Sequence, residues 1–533
     1  MIKLLERVNF KHIFWFFFYF FIFCLLLQNS FSYLDPDFGW HLQVGREIIE
    51  TRAIPDLNHY NYTFTGHWVD HEWLSNLAVY LIYSHWGYIA VSSFFAALIV
   101  FVLILMNRAA SRIRPGSFFL IIFLQLFGTV AALPHLGVRM QESGWLFLFL
   151  LLSIISGYNR RPDWRRLAFL PPLMYLWSCF HGSFLIGFTL AAAWLAIKGV
   201  ENILTRFWPQ PWLDLSARLD FRKVLNFAIA VGLSFVATLF TPYRADLYSF
   251  LGGYRSTFYL SHIQEWLSQF YFPFQYWQLL YLALVVLGIF LYLYYSWGRV
   301  KIFRVDLWTI FLTILFVGLS FQSRRHFPLL FVATFLFLVE TYGRVFQAAA
   351  VRAAKPGLGR WLKGFLLACL LIVSASELIK INFNSEPFYG YCREYPCGAA
   401  DYLRDHPELD NLKIFNEYVW GGYLIWQLPV RQLFIDGRLP QVEFAGHTFL
   451  EEYLDFLRPD SLFAAKLDEY RIELALLSAT DQPIPARNWE KFMFNIKEAE
   501  LTPRNYLRDY LASAPDWQVI YRDETAVLYK KNN

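Results

Sequence analysis

The sequence IFWFFFYFFIFCLLLQNSFSYLDPDFGWH, residues 13–41, decides the fold of this chain. Residues 13–34 are almost entirely apolar, and about 20 such residues suffice for a helix to cross a bilayer. The run is too long for the apolar part of a signal peptide, and no small-residue cleavage site follows, so we expect a retained first membrane helix. Asp35 and Asp37 come directly after it, where the chain leaves the lipid.

The composition is that of an integral membrane protein. Hydrophobic residues make up 57% of the 533 residues and charged residues only 17%, whereas soluble proteins carry about 25%. The mean hydropathy is +0.35. The net charge of +5 is spread between apolar runs rather than gathered in one patch. We therefore expect a lipid bilayer as partner and no nucleic acid.

Apolar runs predict a polytopic α-helical protein of about eleven membrane spans. They cover residues 13–34, 86–106, 117–134, 143–158, 167–180, 183–198, 224–241, 276–297, 306–322, 326–346 and 361–382. The fifth and sixth are short and could form a re-entrant pair. Residues 73–85 are also apolar but too few to span, which places them at the membrane interface.

The distribution of Lys and Arg predicts the orientation. With the N-terminus in the cytoplasm, the inside loops hold most of the basic residues, as the positive-inside rule requires. The outside loops hold Arg46, Arg52, Arg139, Arg244, Arg255, Arg324 and Arg325. Eleven spans then place residues 383–533 on the extracytoplasmic side of the inner (cytoplasmic) membrane.

Histidine placement points to the same side. Of the twelve histidines, only His12 falls on the predicted cytoplasmic side. The others fall in outside loops, at outer ends of spans or in the C-terminal tail. Because ionisable groups near lipid are rarely placed without a function, a polar site is predicted on the outer face.

The tail predicts a small soluble α/β domain. Short strand-like runs (LKIFN, QLFID, ELALLS, WQVIY and AVLYK) alternate with helical stretches such as GAADYLRDH. The predicted domains are a transmembrane domain, residues 1–382, with outside loops 35–75 and 242–275, and a soluble domain, residues 383–533. In the second loop, SHIQEWLSQF predicts an amphipathic helix on the membrane surface. Cys392 and Cys397 could pair or stay free.

Asp35 and Asp37 are the first candidates for chemistry. Pro36 disfavours helix at Asp35, and in an extended segment side chains two residues apart share a face. Both carboxylates could therefore bind one Mg²⁺ or Mn²⁺ ion, or one could act as a general base. The alternative is a helix cap or a solvated acidic turn.

The stretch WVDHEWL supplies further polar candidates. His71-Glu72 begins like a zinc-protease motif, but Ser75 stands where the second histidine would be, so that interpretation fails. His41, His71 and Glu72 are predicted to shape a substrate pocket, with interfacial packing as the alternative. No phosphate-binding glycine loop follows a predicted strand, so no nucleotide cofactor is expected.

Arg324-Arg325-His326 lies at the outer end of a span, where the positive-inside rule disfavours arginine. A phosphate is the natural partner, because arginine binds it with two parallel hydrogen bonds. The alternative is a salt bridge to Glu265. Arg139 repeats the pattern at another outer end. His181, between two short spans, is a further pocket candidate whose alternative is a structural hydrogen bond.

These residues resemble the GT-C glycosyltransferases, membrane enzymes that use polyprenyl-phosphate-linked sugars. Residues 35–74 are similar to the first outside loop of bacterial members of that superfamily, and CFHGSF, TPYRADLY, IQEWLS and RRHFPLLF are similar to shorter parts of the pattern. In the tail, EYVWGGYLIWQLPVRQLFIDGR resembles the WWDYG segment of oligosaccharyltransferase catalytic subunits. Trp420-Gly421-Gly422-Tyr423 lacks the Asp of that motif, so peptide-acceptor recognition is not carried over.

The resemblance implies an inverting hexosyl- or pentosyltransferase of the cell envelope. Asp37, or Asp35, would activate the acceptor hydroxyl. The donor phosphate would be bound by Arg324, Arg325, His326 and Arg139. The substrate pocket would contain His41, His71, Glu72, His181 and Glu265. The acceptor would be a glycan, a lipid or a protein. The alternatives are a transporter of lipid-linked glycans and a non-catalytic assembly protein.

Overall fold

The structure is a computed structural model of the full chain. It describes residues 10–207, 219–253, 257–297, 302–349, 360–381, 383, 392, 394–444, 446–459, 462–481, 483–497 and 501–532. Arg255, one of the predicted outside arginines, lies outside these residues.

The chain divides into two compact units. The first consists of Met1–Ser32, Ala90–Arg244 and Glu265–Ile381, and the second of Tyr33–Ile89, Ala245–Gln264 and Asn382–Asn533. The second unit thus combines most of both predicted outside loops with the C-terminal tail. The predicted domain boundary between residues 382 and 383 stays a prediction.

The first unit is helical. Its helices are Phe10–Ser32, the C-terminal part of Trp73–Ile113, Phe118–Ala132, Ser143–Arg160, Trp164–Leu167, Leu170–Phe180, Phe184–Phe207, Phe221–Thr238, Tyr276–Trp297, Leu307–Gln322, Phe327–Ala349 and Arg360–Ile379. Single 3₁₀ turns occupy Leu133–His135, Met140–Glu142, Gln264–Trp266 at the boundary of the two units, and Arg324–His326. The first helix and the helix Arg360–Ile379 pack against each other.

Nine of the described helical regions are long and apolar enough to cross a membrane. Each of the eleven predicted spans coincides with a helix, and the two below that length are Leu170–Phe180 and Leu307–Gln322. The protein is therefore a polytopic membrane protein, as predicted. Asp306 illustrates how a helix begins: its carboxylate accepts the backbone N–H of Thr309 at 3.1 Å, which satisfies a free donor of the first turn.

Two local predictions are wrong, and a third is not tested. The sixth span is not short, because its helix runs from Phe184 to Phe207. Residues 73–85 belong to the helical stretch Trp73–Ile113, in which Gly87, with φ +70° and ψ −172°, is not helical and separates two helices. Their placement at the membrane interface stays a prediction. SHIQEWLSQF does not form one amphipathic helix: a helix ends at His262, and Gln264–Trp266 adds only a single 3₁₀ turn.

The second unit contains the first predicted outside loop, residues 35–75 and called the acidic loop, and an α/β domain. Its helices are Phe38–Thr51, the start of Trp73–Ile113, Asp246–Gly252, Thr257–His262, Cys397–Asp405, Gly421–Gln427, Phe449–Asp455, Phe463–Glu469, Asn488–Phe494 and Tyr506–Ser513. Single 3₁₀ turns occupy Pro407–Leu409 and Tyr418–Trp420. Cys392 and Cys397 form a disulfide with their Cα atoms 5.3 Å apart.

Four of the five predicted strands form one sheet. The described residues contain six strands in all: β1 (Ile414–Asn416), β2 (Glu443–Phe444), β3 (His447–Thr448), β4 (Leu474–Ser478), β5 (Trp517–Arg522) and β6 (Ala526–Lys531). The sheet order is β1-β4-β6-β5, with β1 parallel to β4 and the other pairs antiparallel. QLFID is not a strand of this sheet. Leu433 instead pairs with Asn61 of the acidic loop, so the loop is held by the domain.

Candidate active site

The acidic turn, Asp35-Pro36-Asp37, precedes the helix Phe38–Thr51. The backbone N–H of Asp37 donates to Oδ1 of Asp35 at 2.9 Å, and Asp37 has a helical backbone conformation. The predicted extended conformation is therefore wrong: Pro36 keeps Asp35 out of a helix, but the Asp35 side chain forms a turn. Both side chains are half-buried. Asp37 occupies the cap position of the helix, yet its side chain makes no capping hydrogen bond.

Two glycines of the C-terminal domain lie directly against the acidic turn. A β-carbon at Gly422 would overlap the carbonyl oxygen of Pro36 and lie 3.3 Å from Cα of Asp37. A β-carbon at Gly437 would overlap Oδ1 of Asp37 and lie 3.0 Å from its Cγ. Only glycine permits such close approaches. The tail segment that contains these glycines therefore belongs to the same site as the carboxylates.

Tyr395 adds a hydroxyl to this site. It donates to the carbonyl oxygen of Leu34 at 2.9 Å. Burial raises the pKa of Tyr395, and the neighbouring carboxylates of Asp35 and Asp37 raise it further. The hydroxyl therefore stays protonated beside the acidic turn.

The predicted pocket residues of the first loop form one buried network. Nδ1 of His41 donates to Oδ1 of Asn76 at 2.5 Å, and Nδ2 of Asn76 donates to Oδ2 of Asp70 at 2.8 Å. The Glu72 carboxylate lies 3.9 Å from Nε2 of His41 and 3.6 Å from Nε2 of His71. The structure thus brings His41, His71 and Glu72 together and adds two partners, Asp70 and Asn76, that were not among the predicted site residues.

Burial sets the charge states in this network. It lowers the pKa of His41 to about 3, against the opposing hydrogen bond to Asn76. It raises the pKa of Asp70 to about 7, although the Asn76 amide and the Glu72 N–H favour the charged form. His41 is therefore neutral at pH 7, whereas Asp70 titrates near neutrality.

Arg438 anchors the tail segment and was missed by sequence reasoning. Its guanidinium binds both oxygens of Asp436, at 2.9 Å and 2.8 Å, and donates to Oδ1 of Asn58 and of Asn61 at 3.1 Å and 3.2 Å. It also stacks on Tyr60 at 4.5 Å. The motif Asp436-Gly437-Arg438 was visible in the sequence, but no local pattern links it to residues 58–61.

The first unit holds the arginine candidates. Glu265 forms a close ion pair with Arg139 and a looser one, 3.5 Å, with Arg325. Burial raises the pKa of Glu265, but the two guanidinium groups outweigh it and lower the pKa to about 2. The salt bridge predicted as the alternative is therefore present. Arg325 also stacks on Trp266 at 5.1 Å.

Arg324 and His326 have structural partners. The buried Arg324 guanidinium donates to the carbonyl oxygens of Ser268, at 3.2 Å, and Tyr271. Nδ1 of His326 lies 3.1 Å from the carbonyl oxygen of Leu319. These contacts fix the turn that carries Arg325. Phosphate binding by Arg324, Arg325, His326 and Arg139 stays a prediction.

His135 is a further histidine near the arginines that sequence reasoning did not select. It is buried, 5% exposed, and neither ring nitrogen has a hydrogen-bond partner among the described residues. Glu265 and Arg139 are its electrostatic neighbours. Since buried polar groups are normally hydrogen-bonded, such a ring marks a place for a polar ligand or water.

His181 has the structural hydrogen bond that was predicted as its alternative. The backbone N–H of Ser183 donates to its Nδ1 at 2.9 Å. This bond closes the turn between the helices Leu170–Phe180 and Phe184–Phe207. A role of His181 in the substrate pocket stays a prediction.

The described residues contain no group of three His, Cys, Asp or Glu side chains arranged to hold a metal ion. The acidic turn offers two carboxylates. Mg²⁺ is often held by one or two carboxylates together with waters and substrate phosphates, so the donor set of the turn is compatible with it. Binding of Mg²⁺ or Mn²⁺ at Asp35 and Asp37 stays a prediction.

The helices and the C-terminal domain together define a polytopic membrane protein. No protein-family model matches the chain, and no curated protein does either. Among solved structures, the Archaeoglobus fulgidus oligosaccharyltransferase tethered to an acceptor peptide with an NVT sequon is similar, with a TM-score of 0.51 at 10% identity, over 86% of this chain and 68% of that chain.

The same archaeal enzyme in its apo form gives a TM-score of 0.47 at 10% identity, over 86% of this chain and 69% of that chain. The likeness at 0.51 shows a shared fold: many membrane helices followed by a C-terminal domain. It confirms the predicted fold class.

Proposed function

We propose that this protein is a membrane glycosyltransferase, which moves a sugar from a polyprenyl-phosphate-linked donor to an acceptor hydroxyl on the extracytoplasmic side. One observation carries the proposal: the half-buried carboxylates of Asp35 and Asp37, in a turn held by glycines of the C-terminal domain. The fold shared with an oligosaccharyltransferase supports it.

Asp37 is proposed as the general base. Its carboxylate accepts the proton of the acceptor hydroxyl, whose oxygen attacks the anomeric carbon of the donor sugar. The bond from that carbon to the phosphate oxygen breaks, and the phosphate leaves with the electron pair. Attack opposite to the leaving group inverts the anomeric centre. Asp35, which accepts the N–H of Asp37, orients the turn.

Arg325 is proposed as the principal ligand of the donor phosphate. It is the most exposed of the candidate arginines, 29% for its side chain, and holds Glu265 at only 3.5 Å. A phosphate can therefore displace part of this contact without stranding Glu265, which keeps Arg139. A fixed cation placed where the leaving group gains charge lowers the barrier to bond breaking.

The acceptor side of the site is proposed to be lined by His41, His71 and Glu72. These side chains form one network, and they belong to the same unit and the same predicted loop as the acidic turn. A divalent ion, Mg²⁺ or Mn²⁺, would be held by Asp35 and Asp37 and would supply charge neutralisation at the phosphate. The acceptor is a hydroxyl-bearing glycan, lipid or protein.

Comparing lipid extracts and surface glycans of cells with and without the chain tests this function. Cells lacking it should accumulate a polyprenyl-phosphate sugar and lose one glycan modification, both seen by mass spectrometry. The purified protein in detergent should still transfer sugar, because sugar transfer, unlike transport, does not require two compartments separated by a membrane. Lipid-linked sugar left unconsumed in detergent would contradict a transferase and agree with a transporter.

A further inference from the structure

We propose that Gly422 and Gly437, together called the glycine cradle, position the Asp37 carboxylate for the reaction. The inference rests on the proposed function and adds a positioning element from the C-terminal tail, far from Asp37 in the sequence. All residues involved belong to the second unit.

Gly437 determines where the Asp37 carboxylate lies. Any β-carbon at this position would overlap Oδ1 of Asp37 and lie 3.0 Å from Cγ. Contacts below about 3.4 Å between carbon atoms are repulsive, because the optimum lies at 3.5–4.0 Å. The carboxylate therefore rests directly on bare backbone, and its rotation toward Gly437 is blocked.

Gly422 determines where the backbone of the acidic turn lies. A β-carbon there would overlap the carbonyl oxygen of Pro36. A β-carbon at the preceding Gly421 would likewise lie only 2.6 Å from Cα and Cβ of Asp436. The helix Gly421–Gln427 and the Asp436–Arg438 segment are thereby joined beneath the turn.

The cradle is rigid because Arg438 fixes one side of it. The guanidinium makes a two-point contact with Asp436 and reaches Asn58 and Asn61. Arg438 is 3% exposed and Asp436 is fully buried. A buried ion pair with two charge-assisted hydrogen bonds restricts the movement of the backbone that carries it. Gly437, between the two residues, cannot move away from Asp37 without breaking these bonds.

Charge supports the same assignment. The paired Asp436 and Arg438 carry no net charge, so Gly437 presents a neutral backbone to the Asp37 carboxylate. A side chain at position 437 would displace the base, and a misplacement of about 1 Å can lower a rate about 100-fold. The cradle therefore acts through position, and its glycines are positioning residues.

A double-mutant cycle of unfolding midpoints tests the contact without any substrate. Gly437→Ala should lower the midpoint of the full-length protein by about 2–4 °C. In the Asp37→Ala background the same substitution should have no effect, because the overlapping oxygen is gone. Coupling between neighbouring residues of this kind is what such cycles measure. If the two substitutions shift the unfolding midpoint additively, the proposed contact between Gly437 and Asp37 is contradicted.

Two glycines serve as matched controls. Gly422→Ala meets a backbone oxygen, so it should lower the midpoint in both backgrounds. Gly253→Ala has no atom within 4 Å of its new methyl group and should change neither midpoint. A Gly422→Ala effect that disappears with Asp37→Ala would contradict the assignment of separate roles to the two glycines.

The transfer rate of the folded fraction gives the second readout. With the lipid-linked sugar fraction of the host as donor, Gly437→Ala should lower kcat about 10- to 100-fold and leave the donor KM within about twofold. A wild-type kcat would overturn the positioning role even if the midpoints are coupled. The two proposals fail on different results. A fully active Asp37→Asn variant would contradict the proposed function, whereas a wild-type kcat of Gly437→Ala would contradict only the positioning role of the cradle.

Discussion

At the scale of single residues, the arginines of the first unit divide into two kinds. Arg324 is 2% exposed and binds carbonyl oxygens of the loop after Glu265. Arg139 and Arg325 share the Glu265 carboxylate. The sequence placed all of them at ends of spans but could not separate the two kinds, because carbonyl partners leave no signature in a side-chain pattern.

Replacing Arg325 and Arg324 by alanine should separate binding from folding. Arg325→Ala leaves Glu265 paired with Arg139, so stability should hold while the donor KM rises about 10-fold, the loss of one charge-assisted bond. Arg324→Ala removes the hydrogen bonds from a buried guanidinium to the carbonyl oxygens of Ser268 and Tyr271 and should cost about 1–3 kcal/mol of unfolding free energy. Thermal unfolding and donor titration check both. Equal effects of the two variants would contradict this division.

Asp70 should make stability depend on pH. Its pKa rises from 3.8 to about 7 on folding because of burial, so between these values the folded state holds the proton more tightly. The stabilising contribution is complete below pH 3.8 and is lost as the pH rises through 7.

Asp70→Asn should therefore flatten the fall of the unfolding midpoint between about pH 4 and pH 7. Asp56→Asn is a suitable control, since Asp56 is exposed in the same loop and should leave the slope unchanged. An Asp70→Asn variant with the wild-type slope would show that another group titrates.

At the scale of elements, QLFID shows why one predicted strand failed. Its pattern is apolar and β-prone, yet Asn416 at the end of β1 takes its hydrogen bonds: Oδ1 accepts from the N–H of Phe434 at 3.0 Å, and Nδ2 donates to the carbonyl oxygen of Ile435 at 2.9 Å. Periodicity predicts that a segment is buried, not which polar group satisfies its backbone.

Asn416→Ala should destabilise the second unit by about 1–3 kcal/mol for each backbone group left unpaired. Asn416 is fully buried, so water cannot replace the amide. Chemical denaturation measures the change, with the exposed Asn411→Ala as control. An unfolding free energy equal to that of the control would show that the segment finds other partners.

The Trp420–Tyr423 segment also has a structural explanation. The sequence showed only that it lacks the Asp of the WWDYG motif. In the structure, any side chain at Gly422 would overlap Pro36, so the acidic turn takes the space that an Asp would need. Close packing between two segments that are far apart in sequence therefore leaves no room for a side chain at position 422.

At the scale of the whole molecule, the helical regions were predictable, because a long apolar run in a bilayer satisfies its backbone hydrogen bonds by forming a helix. The composition of the second unit was not, since it combines Tyr33–Ile89 with Asn382–Asn533. Contacts such as Leu433 with Asn61 depend on tertiary packing between segments far apart in the chain. No local pattern in a single sequence predicts such contacts. Orientation rests on loop charge and stays a prediction.

Labelling of single cysteines in intact cells tests the orientation. Val430 is 84% exposed and Trp164 is 67% exposed. A membrane-impermeant maleimide should label Val430→Cys from outside, whereas Trp164→Cys should react only after permeabilisation. The opposite pattern would invert the predicted topology.

The most direct test of the central claim is the sugar-transfer activity of Asp37→Asn beside Asp56→Asn, each expressed in cells that lack the wild-type chain. The substitution at Asp37 removes the base but keeps the shape of the side chain, so transfer should fall about 100-fold or more at equal membrane abundance, while Asp56→Asn restores the glycan fully. Full restoration by Asp37→Asn would contradict the account.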